Sequence, residues 1–452
     1  MLRALRRVAR DGGVTLFIAL TYYNISTFGF HVVVSRILGP GPYGALGAVL
    51  AVTSLAGNAT GAASTAVTRT VAVIRAGGGD PRPFDLRRTQ RRGLATAAAA
   101  TAIIAALAPV IERYLHLGSA TPVLFLALMA GAILAGLVPR GVLMGERRFE
   151  EVAACLAIGV TVKLILGAAL AVWAGVSGAV GAAAIGEALM TARYYYVIRK
   201  QRATVMPGRE LRVPARSFSL ATGAYAGFWF LAATDTFLAR HLLAADPSGL
   251  YVAASTAGSI ALFLPNNITL TAFPALAGAA GGSAADRSGR DRSPAGVPTS
   301  PAGAPTPSPP GTFAKALAAA AALTIVSSSV LALLPGLVIA VLFGPGFRDA
   351  APILTLLAIS NGAQGMVSFL LHHQLAHHRA TCLLPWVALV ALAIVANAAH
   401  HSAVQIAAEA MTVSLILCVA MAALSAHLAL AARAPEPEPE DVLPLPAGFV
   451  KD

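Results

Sequence analysis

The sequence predicts an all-α polytopic membrane protein, with about twelve transmembrane helices in two parallel six-helix repeats, a two-lobe exporter architecture. Three observations predict it. The chain of 452 residues is 57% hydrophobic and only 12% charged, and its mean hydropathy of +0.72 is far above what a soluble chain of this size keeps in solution. Its apolar residues gather into runs long enough to cross a bilayer. Its Lys and Arg residues fall almost entirely in alternate connections between those runs, the pattern that sets orientation in a membrane.

Taken in order, spans are expected at about 14–35, 43–67, 93–112, 120–143, 152–173, 177–198, 217–239, 249–274, 313–334, 349–374, 380–399 and 403–431. The basic N-terminus (Arg3, Arg6, Arg7, Arg10) precedes a first run too long for a signal peptide, with no convincing cleavage site, so it reads as a retained helix. After span two come Arg69, Arg75, Arg82, Arg87, Arg88, Arg91 and Arg92. After span four come Arg147 and Arg148, and after span six Arg199, Lys200, Arg202, Arg209, Arg212 and Arg216. The opposite connections hold Arg36, Arg113, Arg240 and Arg348, each close to a span end. Both termini are therefore expected in the cytoplasm and the chain in the cytoplasmic (inner or plasma) membrane.

The expected organisation is a basic N-terminus at 1–13, a first six-helix lobe at 14–200, a linker at 201–216, a second lobe at 217–432 and a disordered tail at 433–452. Within the second lobe, 278–312 is rich in Pro, Ser and Gly, cannot bury enough apolar surface to order itself, and is expected to be a disordered cytoplasmic loop. A weak internal repeat relates the lobes. The exit from span one, SRILGPGPYGALGAVLAV (Ser35 to Val52), matches the exit from span seven, ARHLLAADPSGLYVAAST (Ala239 to Thr256), with Arg36 and Arg240 equivalent. Pro122 and Pro352 open spans four and ten, and Glu187 and Glu409 recur in small-residue contexts of spans six and twelve. With six helices per half, both copies run the same way through the membrane, an arrangement suited to alternating access by rocking lobes.

The stretches that carry this repeat also carry a family likeness. SRILGPGPYG, GERRFEE (Gly145 to Glu151), TDTFLARHLLAADPSGLYVAAS, TAFPALAG (Thr271 to Gly278) and LFGPGFRDAAPILTLLA (Leu342 to Ala358) occur in an order and spacing that resemble polysaccharide and lipid-linked oligosaccharide flippases of the multidrug/oligosaccharidyl-lipid/polysaccharide exporter superfamily. The likeness runs over roughly residues 10–430. It implies a flippase, without ATP hydrolysis of its own, for a polyprenyl-pyrophosphate-linked glycan destined for cell-surface polysaccharide or lipopolysaccharide. A polysaccharide polymerase or glycosyltransferases are the protein partners such a role brings with it. The chain departs from the many relatives with fourteen spans, and its loop after span eight is longer.

Ionisable residues inside spans are costly unless they face a cavity or a partner, so they head the search for function. Lys163, about twelve residues into span five, is the first candidate for an anionic pyrophosphate, against the plainer readings of an ion pair with Glu187 or Asp235 or a snorkelling stem. Glu187 and Asp235 are candidates for a coupling proton or cation, against ordinary interhelical hydrogen bonding. Arg140 and Arg69, at the inner mouth of the first lobe, offer forked guanidinium groups to a diphosphate, against a topology-setting role. Arg36 and Arg240 read as headgroup anchors at span ends. Asn24, His31, Asn58, Asn266, Asn267, Asn361, Gln364 and Asn397 read as interhelical hydrogen-bonding groups, against the lining of a wet cavity for sugars.

Other chemistry is poorly supported. The net charge of +13 is spread over short loops without aromatic interleaving, so membrane lipids rather than nucleic acid are the expected contact. No phosphate-cradling GxxxxGKS, HExxH or sizeable soluble region is present, so no enzyme activity and no cofactor are expected. Cys155, Cys382 and Cys418 fall inside spans, with neither disulfide nor metal spacing. His373 and His377 stand four apart but lack a completing ligand, and no metal site is expected. Two alternatives remain open: a drug/cation antiporter of the same fold, against which a central lysine leans, and a membrane-embedded glycosyltransferase or polymerase.

Overall fold

The computed structural model describes residues 12–53, 64, 67–68, 71, 86–201, 215–263, 312–376, 379–399 and 402–431. The expected N-terminal extension, the loop at 278–311, most of the linker at 202–214 and the tail from 432 lie outside the described residues, as does Arg69. The described chain is helical, without a strand among its residues. The first half comprises α1 (Gly12–Leu38), α2 (40–53), α3 (Leu86–Ala106), α4 (Ala108–Tyr114), α5 (Thr121–Gly145) and α6 (Phe149–Gln201). The second comprises α7 (Ala215–Leu242), α8 (245–263), α9 (Thr312–Leu333), α10 (Pro335–Leu342), α11 (Ala351–Ala376), α12 (Leu384–Ala399) and α13 (Ala403–Ala431). Among the described residues six helices are long and apolar enough to cross a membrane, and two bent pairs bring the number to eight. One of the six is α6, whose 53 residues contain a reversal that makes it two limbs.

The two halves repeat the same plan. Each has a long helix, a second helix starting at a tight turn, a span broken near its end, a long fourth helix and a closing pair. In the first half the break falls inside 93–112, expected as one span, while in the second it falls just after 313–334, the expected span that α9 matches. α3 meets α4 at 54°, and α9 meets α10 at 81°. The cause is proline at the start of each short helix, Pro109 and Pro335, which supplies no backbone N–H and whose ring clashes with the preceding turn. α10 then leads through the 3₁₀ turn Pro345–Ala350 into α11.

Within the first half α1 and α5 pack on α6, and α3 on α5; within the second α11 packs on α9 and α13, and α12 on α7 and α13. Buried aromatic side chains such as Phe30, Tyr43, Tyr194, Phe228, Tyr251 and Phe369 fill the interior. Trp173, Val172, Ile325 and Ile416 point outward. In water so much exposed apolar surface would drive association, whereas in lipid it costs nothing. The chain is a multi-pass membrane protein.

The halves meet through α2 and α8, whose facing glycines let the backbones touch. A Cβ on Gly44 would sit 2.8 Å from the Gly249 nitrogen, and one on Gly249 or Gly47 would overlap Pro40 or Val252. The Tyr43 hydroxyl bridges His31 of its own half and Thr256 of the other, each at 3.2 Å, while its ring packs on Phe343 and Phe347. Arg36 and Arg240, expected as headgroup anchors, both bond across the junction instead. The backbone carbonyls they reach outcompete headgroups because they lie fixed within the side chains' span.

Candidate functional site

The site of interest begins with the reversal in α6. At Gly175 the backbone takes φ +56 and ψ −133, a left-handed region that a residue with a Cβ enters at a cost. The chain turns back on itself there, so residues equidistant from Gly175 come to one height. Lys163 and Glu187 are such a pair, twelve positions before and after it. Their limbs cross in close contact: a Cβ on Gly186 would lie 2.6 Å from the Gly159 carbonyl oxygen and 3.0 Å from the Lys163 Cβ. Only small residues allow backbones this near, and here they set the lysine stem beside the glutamate's own backbone.

The lysine stem rises into an aromatic wall from α1. Gly167, one helical turn along from Lys163, leaves a hollow in which the edge of the Phe30 ring rests, and the Lys163 Nζ stands 4.9 Å from that ring's centroid. An ammonium over an aromatic face is attracted by the ring quadrupole, more strongly where water is excluded. Lys163 is 6% exposed and Glu187 7%. Glu187 accepts a hydrogen bond from the Tyr23 hydroxyl at 3.4 Å, and Tyr22 and Thr161 share one at 2.8 Å. Lys163 and Glu187 interact through the interior electrostatically without an N–O contact as short as a salt bridge.

Arg140 completes the group from α5, directly after the helix-interior proline Pro139. It is half-buried, and its charge acts on Glu187, Tyr23 and Tyr194. The Tyr194 hydroxyl is buried among the described residues without a hydrogen-bond partner. One position back, the charge of Arg193 acts on the buried thiol of Cys155. Lys163, Arg140 and Arg193 thus stand with the carboxyl group of Glu187 in the interior of the first half.

Asp235 lies elsewhere. It sits in α7 of the second half, 5% exposed, where Oδ1 accepts from the Thr236 backbone N–H at 2.6 Å and Oδ2 from the Tyr251 hydroxyl at 3.1 Å. Of the two acids considered as neighbours of Lys163, the structure brings Glu187 to it and places Asp235 across the junction. His372 is held by Tyr225 and by the Ser368 carbonyl, His377 and His378 are outside the described residues, and no cluster of three metal-ligating side chains occurs among those described.

No protein-family profile and no curated protein sequence matches the chain. Solved structures do. A multidrug-resistance MATE transporter of the MOP superfamily in an inward-facing conformation superposes with a TM-score of 0.67 at 13% identity, over 94% of this chain and 100% of that one. The lipid II flippase MurJ, in an inward closed conformation, gives 0.63 at 13% identity, over 90% and 86%. A MATE transporter of Vibrio cholerae gives 0.62 at 15%, over 95% and 98%. The chain has the two-lobe exporter fold. At these identities the fold is what is shared.

Sequence reasoning did not single out Tyr23, Phe30, Tyr194 or Arg193 as parts of the site. Phe30 and the tyrosines look like ordinary apolar-face residues in a helix this rich in aromatics. A usable signal existed for Phe30, since glycine at 159, 167 and 186 marks where neighbours approach closely, but it does not say which neighbour.

Proposed function

We propose that the protein is a transporter of the cytoplasmic membrane that moves an anionic, polyprenyl-pyrophosphate-linked oligosaccharide between leaflets by alternating access. The observation that supports this reading is the grouping of Lys163 and Arg140 with Glu187 in the interior of the first lobe. A buried cation in a low-dielectric setting attracts an anion far more strongly than one in water. Half-buried Arg140 is the first contact for the diphosphate, its fork matched to phosphate oxygens. Lys163 adds attraction from behind Phe30. The polyprenyl tail stays in lipid while the lobes, 14–200 and 217–432, rock against each other. The positive-inside pattern puts both termini in the cytoplasm and the junction at the outer end, so the headgroup enters from the cytoplasm.

The likeness to MurJ, by name a lipid II flippase, supports a lipid-linked cargo. The likeness to multidrug MATE transporters supports a second reading, antiport of a drug against a cation. The specific observation favouring it is Asp235, a buried carboxylate ringed by hydroxyl groups, which suits a coupling proton or cation.

The test is flipping of a fluorescent polyprenyl-pyrophosphate-linked glycan in proteoliposomes, with efflux of a cationic dye measured in parallel. Glycan flipping by the native chain that is lost in Lys163→Ala and Arg140→Ala, in folded protein, supports the first reading. Dye efflux that depends on Asp235, with no glycan flipping, replaces it with the second.

A further inference from the structure

Arg36 and Arg240, the two arginines that the sequence repeat aligns, make the same contact in opposite directions. From the end of α7, Arg240 donates Nε to the Leu115 carbonyl and Nη2 to the His116 carbonyl, both at 2.8 Å, and Nη1 to Ser248 Oγ at 3.0 Å. From the end of α1, Arg36 donates Nε to the Leu342 carbonyl at 3.2 Å and Nη2 to the Val341 carbonyl. Each guanidinium therefore takes two consecutive carbonyls where a short proline-started helix of the other half ends: Val341 and Leu342 are the last two residues of α10, and Leu115 and His116 follow the end of α4 at Tyr114. The last carbonyls of a helix have no partner within it. They also form the negative end of its dipole, and a planar fork spans two of them where an ammonium could not.

We propose that Arg36 and Arg240 form a paired clasp, related by the internal repeat, that holds this end of the molecule shut and must release on both sides when the halves separate. Its place in a transport cycle rests on the function proposed above; the clasp itself rests on contacts alone. The junction between α2 and α8 obeys the same relation, since Gly44 faces Ser248, the position that the repeat aligns with it. A self-complementary contact of this kind is what two similar units meeting about an axis produce. Headgroup anchoring does not account for Arg240, which is 6% exposed; Arg36 is exposed, and its two carbonyl contacts carry its part in the pair. On its side the clasp is reinforced by His241, stacked on Tyr114 at 4.1 Å between centroids with rings 8° from parallel.

The experiment measures distance, so it does not depend on knowing the cargo. Spin labels at Arg113→Cys and Ala244→Cys, both exposed positions beside the junction, are read by pulsed electron paramagnetic resonance in a background whose three native cysteines are serine. The otherwise unaltered chain gives mainly the short distance. Arg36→Gln and Arg240→Gln each lower the ratio of short to long distances about tenfold, and the double variant about a hundredfold, from the loss of charge-assisted hydrogen bonds at two separate places. Arg→Lys at either position, which keeps the charge but not the fork, gives an intermediate ratio, and serves where a glutamine variant fails to fold. An unchanged distribution in the folded double variant overturns the clasp even if glycan flipping is established. A shift carried wholly by one arginine overturns the pairing.

Discussion

Lys163 and Glu187 are buried at one height without a direct salt bridge, and the consequences of altering them follow from that spacing. Removing the lysine leaves a carboxylate in the interior with only Tyr23 and the field of Arg140 to compensate it; removing the carboxylate leaves two cations facing each other's field. Each single change, Lys163→Met or Glu187→Gln, is therefore expected to destabilise more than the two together. The coupling, read from thermal unfolding of all four proteins in one detergent, is about 1–3 kcal/mol for groups this close in low dielectric. Additive effects would mean that the two charges do not share a site. Phe30→Leu is the companion change: it removes the π face and some packing volume near Gly167, so binding of a pyrophosphate-linked lipid is expected to weaken several-fold while stability falls by about 1–2 kcal/mol.

At the scale of the element, the α6 hairpin decides whether those residues meet at all. Gly175→Ala forces a Cβ into φ +56, costing about 1–2 kcal/mol. Gly186→Val is worse, because its side chain would drive into the Gly159 carbonyl and the Lys163 backbone; the expected outcome is loss of folded, monodisperse protein. The control is Gly29→Ala in α1, where a Cβ meets nothing within 4 Å. There the gain in helix propensity is expected to raise stability by about 1 kcal/mol. If Gly29→Ala and Gly186→Val behave alike in size-exclusion and thermal unfolding, the close crossing of the two limbs is wrong. The hairpin was legible as two apolar runs ending at 173 and starting at 177, since a Trp-Ala-Gly stretch interrupts them. The breaks at Pro109 and Pro335 were not, because both prolines sit at the margins of apolar runs and hydropathy is blind to direction.

For the whole molecule, the internal repeat was legible while its use was not. Aligning SRILGPGPYG with ARHLLAADPSG made Arg36 and Arg240 equivalent, yet a sequence gives no sign that each one's partners are carbonyls three hundred or one hundred and twenty residues away. The same limit applies to Asp235, whose distance from Lys163 depends on how the two halves face each other. The α2–α8 junction offers the decisive check on how the halves come together. A Cβ at Gly47 would overlap the methyl groups of Val252, so Gly47→Ala is expected to wedge the junction and impair transport while each half stays folded. Val252→Ala removes those methyl groups, and Gly47→Ala with Val252→Ala is expected to recover most of the lost transport, because volume returned on one helix is volume removed from the other. Transport that falls further in the double variant than in Gly47→Ala would place the defect inside the first half and not at the seam between the two.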